Sequence, residues 1–255
     1  MVSLPTMPSL RLEGRRALVT GAGRGIGLAA AAALAAAGAH VTLAARSVAE
    51  IEDAAAALRS RGDSAEALVL DVGDLAAVAA ALTAAEPFDI LVNNAGTNRP
   101  APFVDVTPED FDAVMALNVR SAFFVAQAVA RRLMVTGRPG SIIQMSSQMG
   151  HVGGPGRTVY CASKHALEGL TKAMAVELGR HGIRVNTLCP TFIETPLTRP
   201  FFEKPEFRDW ALGKIKLGRI GVVEDVMGAV VFLASDASAL MTGSAVMLDG
   251  GWTAD

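Results

Sequence analysis

At 255 residues, with 51% hydrophobic side chains and 25 glycines, the chain is long enough to bury one large core and reads as a single domain over 1–255. A formal net charge of -2 with scattered basic residues excludes the electrostatic footprint of a nucleic-acid or anionic-membrane partner. Met1 to Leu10 lacks a basic stretch followed by an apolar core, and no charge-free apolar run reaches membrane-spanning length, so a cytoplasmic protein is expected.

Strand-like apolar runs alternate with amphipathic or alanine-rich stretches along the chain. Strands are predicted at Arg16 to Thr20, His40 to Ala44, Ala65 to Leu70, Ile90 to Asn93, Ser141 to Ser146, Arg184 to Leu188 and Ala245 to Leu248. Helices are predicted at Gly25 to Ala37, Val48 to Arg61, Asp74 to Ala85, Pro108 to Met134, Tyr160 to Arg180 and Glu224 to Ala234. This alternation predicts an α/β fold: a doubly wound, Rossmann-type parallel sheet of about seven strands with helices on both faces. Gly38 reads as a helix stop, and Thr107-Pro108-Glu109-Asp110 as a cap, a first-turn proline and dipole-favoured carboxylates. Pro190 to about Lys214 carries prolines, phenylalanines and Trp210 without a clear period and reads as a mobile cover or a passive surface excursion.

Thr20-Gly21-Ala22-Gly23-Arg24-Gly25-Ile26-Gly27 follows the first predicted strand and opens the first helix. Glycines there let the backbone turn sharply and approach a pyrophosphate, and the helix start offers unpaired N–H groups and a positive dipole. The end of the second strand, where an acid for the ribose hydroxyls is expected about 20 residues on, reads Ala44-Ala45-Arg46-Ser47. Arg46 and Arg24 can pair with a 2′-phosphate, so NADP(H) is expected in preference to NAD(H), which stays possible.

Tyr160, the one tyrosine of the chain, stands four residues before Lys164. On a helix that spacing places both on one face, and an adjacent ammonium favours the phenolate, as proton transfer near neutral pH requires. Cys161 and Cys189 are too few for a disulfide scaffold and lack the paired spacing of a zinc site; both are expected as reduced thiols, and no metal is expected.

The glycine turn, Asn93-Asn94-Ala95-Gly96, Asn118, Ser147 and Tyr160-x-x-x-Lys164 occur in one order from about Leu12 to Trp252. Together they resemble the short-chain dehydrogenase/reductase family, in its short single-domain branch. The resemblance implies Tyr160 as general acid and base, and Lys164 as the group that lowers its pKa and holds the nicotinamide ribose. It implies Ser147 as hydrogen-bond donor to the substrate oxygen, with Ser146 the rival, and Asn118 as anchor of a water relay reaching Lys164. At the cofactor it implies Gly21, Arg24, Gly25, Ile26 and Gly27 on the phosphates, Arg46 beside the ribose, and Asp71 with Val72 at the adenine. Asn93, Ala95 and Gly96 fall along the adenosine ribose, and Pro190, Ile193 and Thr195 at the carboxamide. Thr191 departs from the glycine usual after the proline.

The resemblance further implies hydride transfer between nicotinamide and a secondary alcohol or ketone. Gln148 and His151, with Tyr160 and Ser147, are expected at the substrate; Met149, Val152, Thr97, Asn98, Phe192, Glu194, Phe201 and Phe202 are further lining candidates. This mixture of polar and apolar groups suggests a small sugar, polyol or sugar acid. A keto-acyl thioester reductase and a nucleotide-binding redox sensor without turnover are the alternatives. Subunit pairing into a homo-oligomer, a tetramer or dimer, is expected through Glu224 to Ala234 and Val246 to Trp252.

Overall fold

The computed structural model describes residues 2–254, so Met1 and Asp255 of the 1–255 reading lie outside the described residues. Strands β1 (Arg16–Thr20), β2 (His40–Ala45), β3 (Ala65–Val69), β4 (Ile90–Asn93), β5 (Gly140–Met145), β6 (Ile183–Pro190) and β7 (Ala245–Leu248) form one seven-stranded sheet in the order β3-β2-β1-β4-β5-β6-β7. Every pairing is parallel. The predicted doubly wound sheet is present, with strand ends shifted by a residue or two.

Helices α1 (Gly25–Ala36), α2 (Val48–Ser60) and α9 (Val223–Ala234) cover one face, and α3 (Leu75–Ala84), α5 (Ala122–Thr136) and α6 (Thr158–Leu178) the other. The period-2 side-chain alternation of a strand divides the core accordingly. In β1, Ala17 and Val19 join the first cluster and Leu18 the second; in β5, Ile143 and Met145 join the first and Ile142 the second. In α9, Val226, Val230 and Leu233 are fully buried within the first cluster. That face of α9 packs on the protein's own core, while Val223, Met227 and Val231 on the same helix are only partly buried.

The helix expected to run unbroken from Pro108 is interrupted. Thr107 caps α4 (Pro108–Met115) through the Asp110 amide, a π-helical segment follows at Ala116–Ser121, and α5 continues to Gly137 in left-handed conformation. Side-chain periodicity does not reveal one inserted residue, and such insertions gather at functional sites. The run Pro108–Thr136 is long and apolar enough to cross a membrane by length and composition alone, yet α5 packs on α3, β4 and β5.

The cover also differs from its irregular reading. It contains α7 (Arg199–Phe202) and α8 (Pro205–Lys214), both with proline in the first turn. Their packing is aromatic: Phe202, Phe207, Trp210 and Trp252 ring Phe192 at centroid distances of 5.2 to 6.1 Å. Clustering around one ring leaves no amphipathic stripe to read in the sequence.

Candidate active site

The strand order reverses its direction of growth between β1 and β4, and in such sheets ligands sit beyond the carboxyl ends of the strands at that point. A cleft of about 960 Å³ opens there. Thr20 ties its two walls: its Oγ1 accepts from the amides of Asn94 (3.0 Å) and Ala95 (3.1 Å), while Asn94 Nδ2 donates to the Thr20 carbonyl (3.0 Å).

The glycine turn forms one wall. Gly25 has φ +58°, and a Cβ there would lie 3.4 Å from Thr195 of the cover. At Gly27 a Cβ would fall 2.2 Å from the Gly21 carbonyl oxygen, so only glycine lets α1 press against the turn. Arg24 precedes α1 in extended conformation and makes no side-chain cap, leaving the first helical amides to the cleft. Ser47, by contrast, caps α2 through the Glu50 amide.

Arg24 and Arg46 both border this cleft and are exposed. Glu50, which sequence reasoning missed, borders it too and pairs with Arg24 at 3.4 Å. Asp71 and Val72 lie further along the same wall, with Asp71 Oδ1 accepting from the Gly73 amide at 2.9 Å. Thr191, on the opposite side, has a buried hydroxyl with no protein partner and also lines the cleft. Uncapped helix amides, a glycine cradle, two arginines and an orphaned hydroxyl fit a dinucleotide with an extra phosphate. No non-glycine residue among those described has positive φ, so Thr191 meets no backbone strain in place of glycine.

Ser147, from the segment after β5, and Tyr160 and Lys164, both on α6, come together in the cleft. Ser147 ends the segment after β5; its Oγ lies 2.6 Å from Gln148 Oε1, accepts from the Met149 amide at 3.1 Å and stands 3.4 Å from the Pro190 carbonyl. Ser146 also borders the cleft, with a hydroxyl that has no protein hydrogen-bond partner. Tyr160 has its phenol pKa raised by burial, with hydrogen bonding to Ser147 and the charge of Arg157 pulling it back.

Lys164 stands one helical turn beyond Tyr160 on α6. Lys164 Nζ donates to the Met145 carbonyl at 2.7 Å and lies over the Tyr160 ring, 5.5 Å from its centroid. One of its three N–H groups is held at the end of β5, and burial lowers its own pKa to about 8. Arg157, three residues before Tyr160 at the start of α6, is a second cation that pulls the phenol pKa down, and sequence reasoning missed it. Arg157 is buried, borders the cleft and lies over the rings of Phe192 (5.5 Å), Phe201 (5.3 Å) and Phe207 (5.8 Å). Among the described residues no carboxylate pairs with it.

Three other expected site residues do not reach the cleft. Asn93 is buried and donates to the Ala122 carbonyl at 2.7 Å, so it braces β4 against α5 while its neighbours Asn94, Ala95 and Gly96 line the wall. Asn118 is buried, with its Oδ1 accepting from the Thr97 amide and its Nδ2 donating to the Thr97 carbonyl and to Ser163 Oγ. Both amide hydrogens are used by protein partners, so the side chain locks the Thr97 loop to α6. His151 turns from the cleft toward Glu168 and Cys189, each 3.5 Å away, which removes it from the substrate set. Gln148, Met149, Thr97, Asn98, Phe192, Phe201, Pro190, Ile193 and Thr195 do line the cleft; Val152, Glu194 and Phe202 do not.

The fold and this cleft define a dinucleotide-binding α/β oxidoreductase. The family described as enoyl-(acyl carrier protein) reductase matches residues 21–253. A D-erythrulose reductase of Gallus gallus is 44% identical over 245 residues, covering 96% of this chain and 98% of that protein. A gluconate 5-dehydrogenase of Gluconobacter oxydans is 43% identical, covering 95% and 96%. The crystal structure of a gluconate 5-dehydrogenase from Burkholderia cenocepacia, in complex with NADP and tartrate, superposes with a TM-score of 0.93 at 40% identity, covering 96% of this chain and 98% of that one. The chain belongs to the short-chain dehydrogenase/reductase family and is an NAD(P)-dependent oxidoreductase acting on CH–OH groups.

Proposed function

We propose that this protein is an NADP(H)-preferring dehydrogenase or reductase of a small sugar, polyol or sugar acid, with Tyr160 as the proton-transferring residue. The bound cofactor supplies hydride exchange at its nicotinamide ring. The residues of the chain then have to move one proton at the substrate oxygen and stabilise the charge that develops there. Tyr160 supplies or accepts that proton, and Ser147 donates a hydrogen bond to the same oxygen by turning its single hydroxyl hydrogen away from Gln148 Oε1. Lys164, anchored on Met145, fixes the floor beneath the nicotinamide ribose. Gly21, Gly25, Ile26 and Gly27 hold the pyrophosphate, Arg24 and Arg46 the 2′-phosphate, Asp71 and Val72 the adenine, Ala95 and Gly96 the adenosine ribose, and Pro190, Ile193 and Thr195 the carboxamide.

The observation that carries the substrate reading is Arg157. A buried guanidinium without a carboxylate partner, bordering the cleft beside the phenol, favours a sugar acid whose carboxylate completes the pair. Among the relatives, the Burkholderia protein was crystallised with tartrate, a small hydroxylated dicarboxylate, in addition to NADP. An acyl-carrier substrate is less well supported, because the scattered basic residues form no strongly basic mouth and Arg99 at the cleft is already paired with Asp110. The test compares kcat/KM for a sugar acid and for the corresponding neutral polyol with NADP as acceptor. A preference of about 10-fold or more for the acid, lost in Arg157→Leu, is expected from one charged hydrogen bond. Equal preference in both proteins contradicts the reading.

We further propose that the enzyme is cytoplasmic and a homo-oligomer, a tetramer or dimer. Exposed Phe111, Phe123 and Phe124 on α4 and α5, with Met247 on β7, support subunit pairing.

A further inference from the structure

Outside the cleft, the structure assembles a constellation that sequence spacing conceals. His151 follows Ser147 by four residues, Glu168 lies one helical turn beyond Lys164, and Cys189 directly precedes Pro190. Their donor atoms converge: His151 Nε2 lies 3.5 Å from Glu168 Oε1 and 3.5 Å from Cys189 Sγ, and Cys189 Sγ lies 3.4 Å from the same Glu168 oxygen. None of the three lines the cofactor cleft. Their separation in the chain hides this cluster from sequence spacing.

We propose that His151, Glu168 and Cys189 form a site for a thiophilic divalent cation of the zinc type, separate from the cofactor cleft. The first argument is size. A tetrahedral zinc with Zn–S of about 2.3 Å, and Zn–N and Zn–O of about 2.0 to 2.1 Å, separates its ligand atoms by about 3.4 to 3.6 Å. The three observed separations have that length, so an ion fits at the centre without moving the backbone.

The second argument is the supporting shell. Thr187 Oγ1 donates to Glu168 Oε2 at 2.9 Å, holding the carboxylate with its other oxygen toward the thiol and imidazole. Orienting bonds of this kind are characteristic of built metal sites. Glu168 and Cys189 are buried, whereas the His151 side chain is 32% exposed, giving an entry path and an open fourth position for water. Mixed sulfur, nitrogen and oxygen donors select a borderline-soft ion over magnesium or calcium.

Binding replaces the Cys189 Sγ–H bond with an Sγ–metal bond and releases the proton to solvent; no electron is transferred. The ion would join the segment after β5, helix α6 and the end of β6, which between them carry Ser147, Lys164 and Pro190. The proposal does not depend on the substrate reading, since its test needs neither cofactor nor substrate.

Metal-free full-length protein is titrated with Co²⁺ and followed by its thiolate-to-cobalt charge-transfer absorption, then with Zn²⁺ by calorimetry. One equivalent with a charge-transfer band is expected, retained in Cys161→Ser and lost in Cys189→Ser. His151→Ala, at a partly exposed loop position, should lose stoichiometric binding while keeping the wild-type circular dichroism spectrum. Thr187→Val should weaken Zn²⁺ binding by about 10- to 100-fold. Absence of the band in the wild type overturns the proposal, as does binding that is unchanged in Cys189→Ser and His151→Ala.

Discussion

The Arg157 guanidinium acts on the Tyr160 phenol from three residues upstream, while Lys164, one helical turn downstream, gives its ammonium to the Met145 carbonyl. Burial raises the phenol pKa, and the arginine opposes that rise. The arginine bears the cost of desolvation itself: burial lowers its own pKa, partly compensated by the aromatic faces of Phe192, Phe201 and Phe207.

Removing that charge should move the catalytic titration. In Arg157→Met the rising limb of the pH profile for alcohol oxidation, which reports deprotonation of the phenol, is expected at higher pH than in the wild type, with kcat near neutrality down by about 10-fold. NADPH affinity should stay within about twofold. A pH–kcat profile checks this; an unshifted limb assigns the control of the phenol to another group.

Tyr160→Phe removes the transferable proton but keeps the ring under Lys164. Turnover is expected to fall by about 10²- to 10⁴-fold with nearly unchanged cofactor affinity. Steady-state kinetics and NADPH fluorescence titration measure the two quantities separately. Substantial residual activity contradicts the assigned role.

Arg46→Asp should weaken NADPH binding far more than NADH binding, by about 10-fold or more if one charged hydrogen bond is lost. Glu50→Gln should do the reverse, because it releases Arg24 from its 3.4 Å pair and removes a carboxylate from beside the expected phosphate. Equal changes for both cofactors in Arg46→Asp would sink the NADP assignment.

Gly27→Ala brings a methyl group to 2.2 Å from the Gly21 carbonyl, so the turn and α1 have to separate. A loss of about 1 to 3 kcal/mol in stability is expected, together with weaker binding of either dinucleotide. Urea unfolding and cofactor titration test it; a wild-type midpoint and affinity together would show that the packing is looser than the geometry requires.

Lys164 links stability to pH. Its folded pKa is lowered from 10.5 to about 8, so between those values the unfolded chain binds more protons than the folded one. Stability contributed by this group therefore rises with pH through that window, by up to about 3 kcal/mol, and the burial penalty is fully felt below pH 8. Denaturant unfolding of wild type and Lys164→Met at pH 7 and pH 10 should show the wild type gaining relative to the variant. A constant difference would mean that the ammonium remains charged in the folded protein.

Much of the architecture was legible because its signals are local. The apolar runs of β1, β4 and β7 carry their own boundaries, and Gly21 to Gly27 needs only the strand before it and the helix after it to read as a phosphate turn. The π-helical insertion at Asn118 was hidden because one extra residue scarcely disturbs a helical apolar pattern. The helices of the cover were hidden because Phe192 gathers rings from several segments instead of imposing a period.

The sequence by itself determined the order of strands and helices, the glycine cradle and the spacing of Ser147, Tyr160 and Lys164, since each rests on short-range backbone geometry. Only the tertiary structure decided that Arg157 joins Lys164 near the phenol, that Asn93 and Asn118 brace rather than line the cleft, and that His151 joins Glu168 and Cys189. Those outcomes depend on side-chain directions where β5, β6 and α6 meet, and distances between residues remote in the chain are set by packing, with no trace in their spacing.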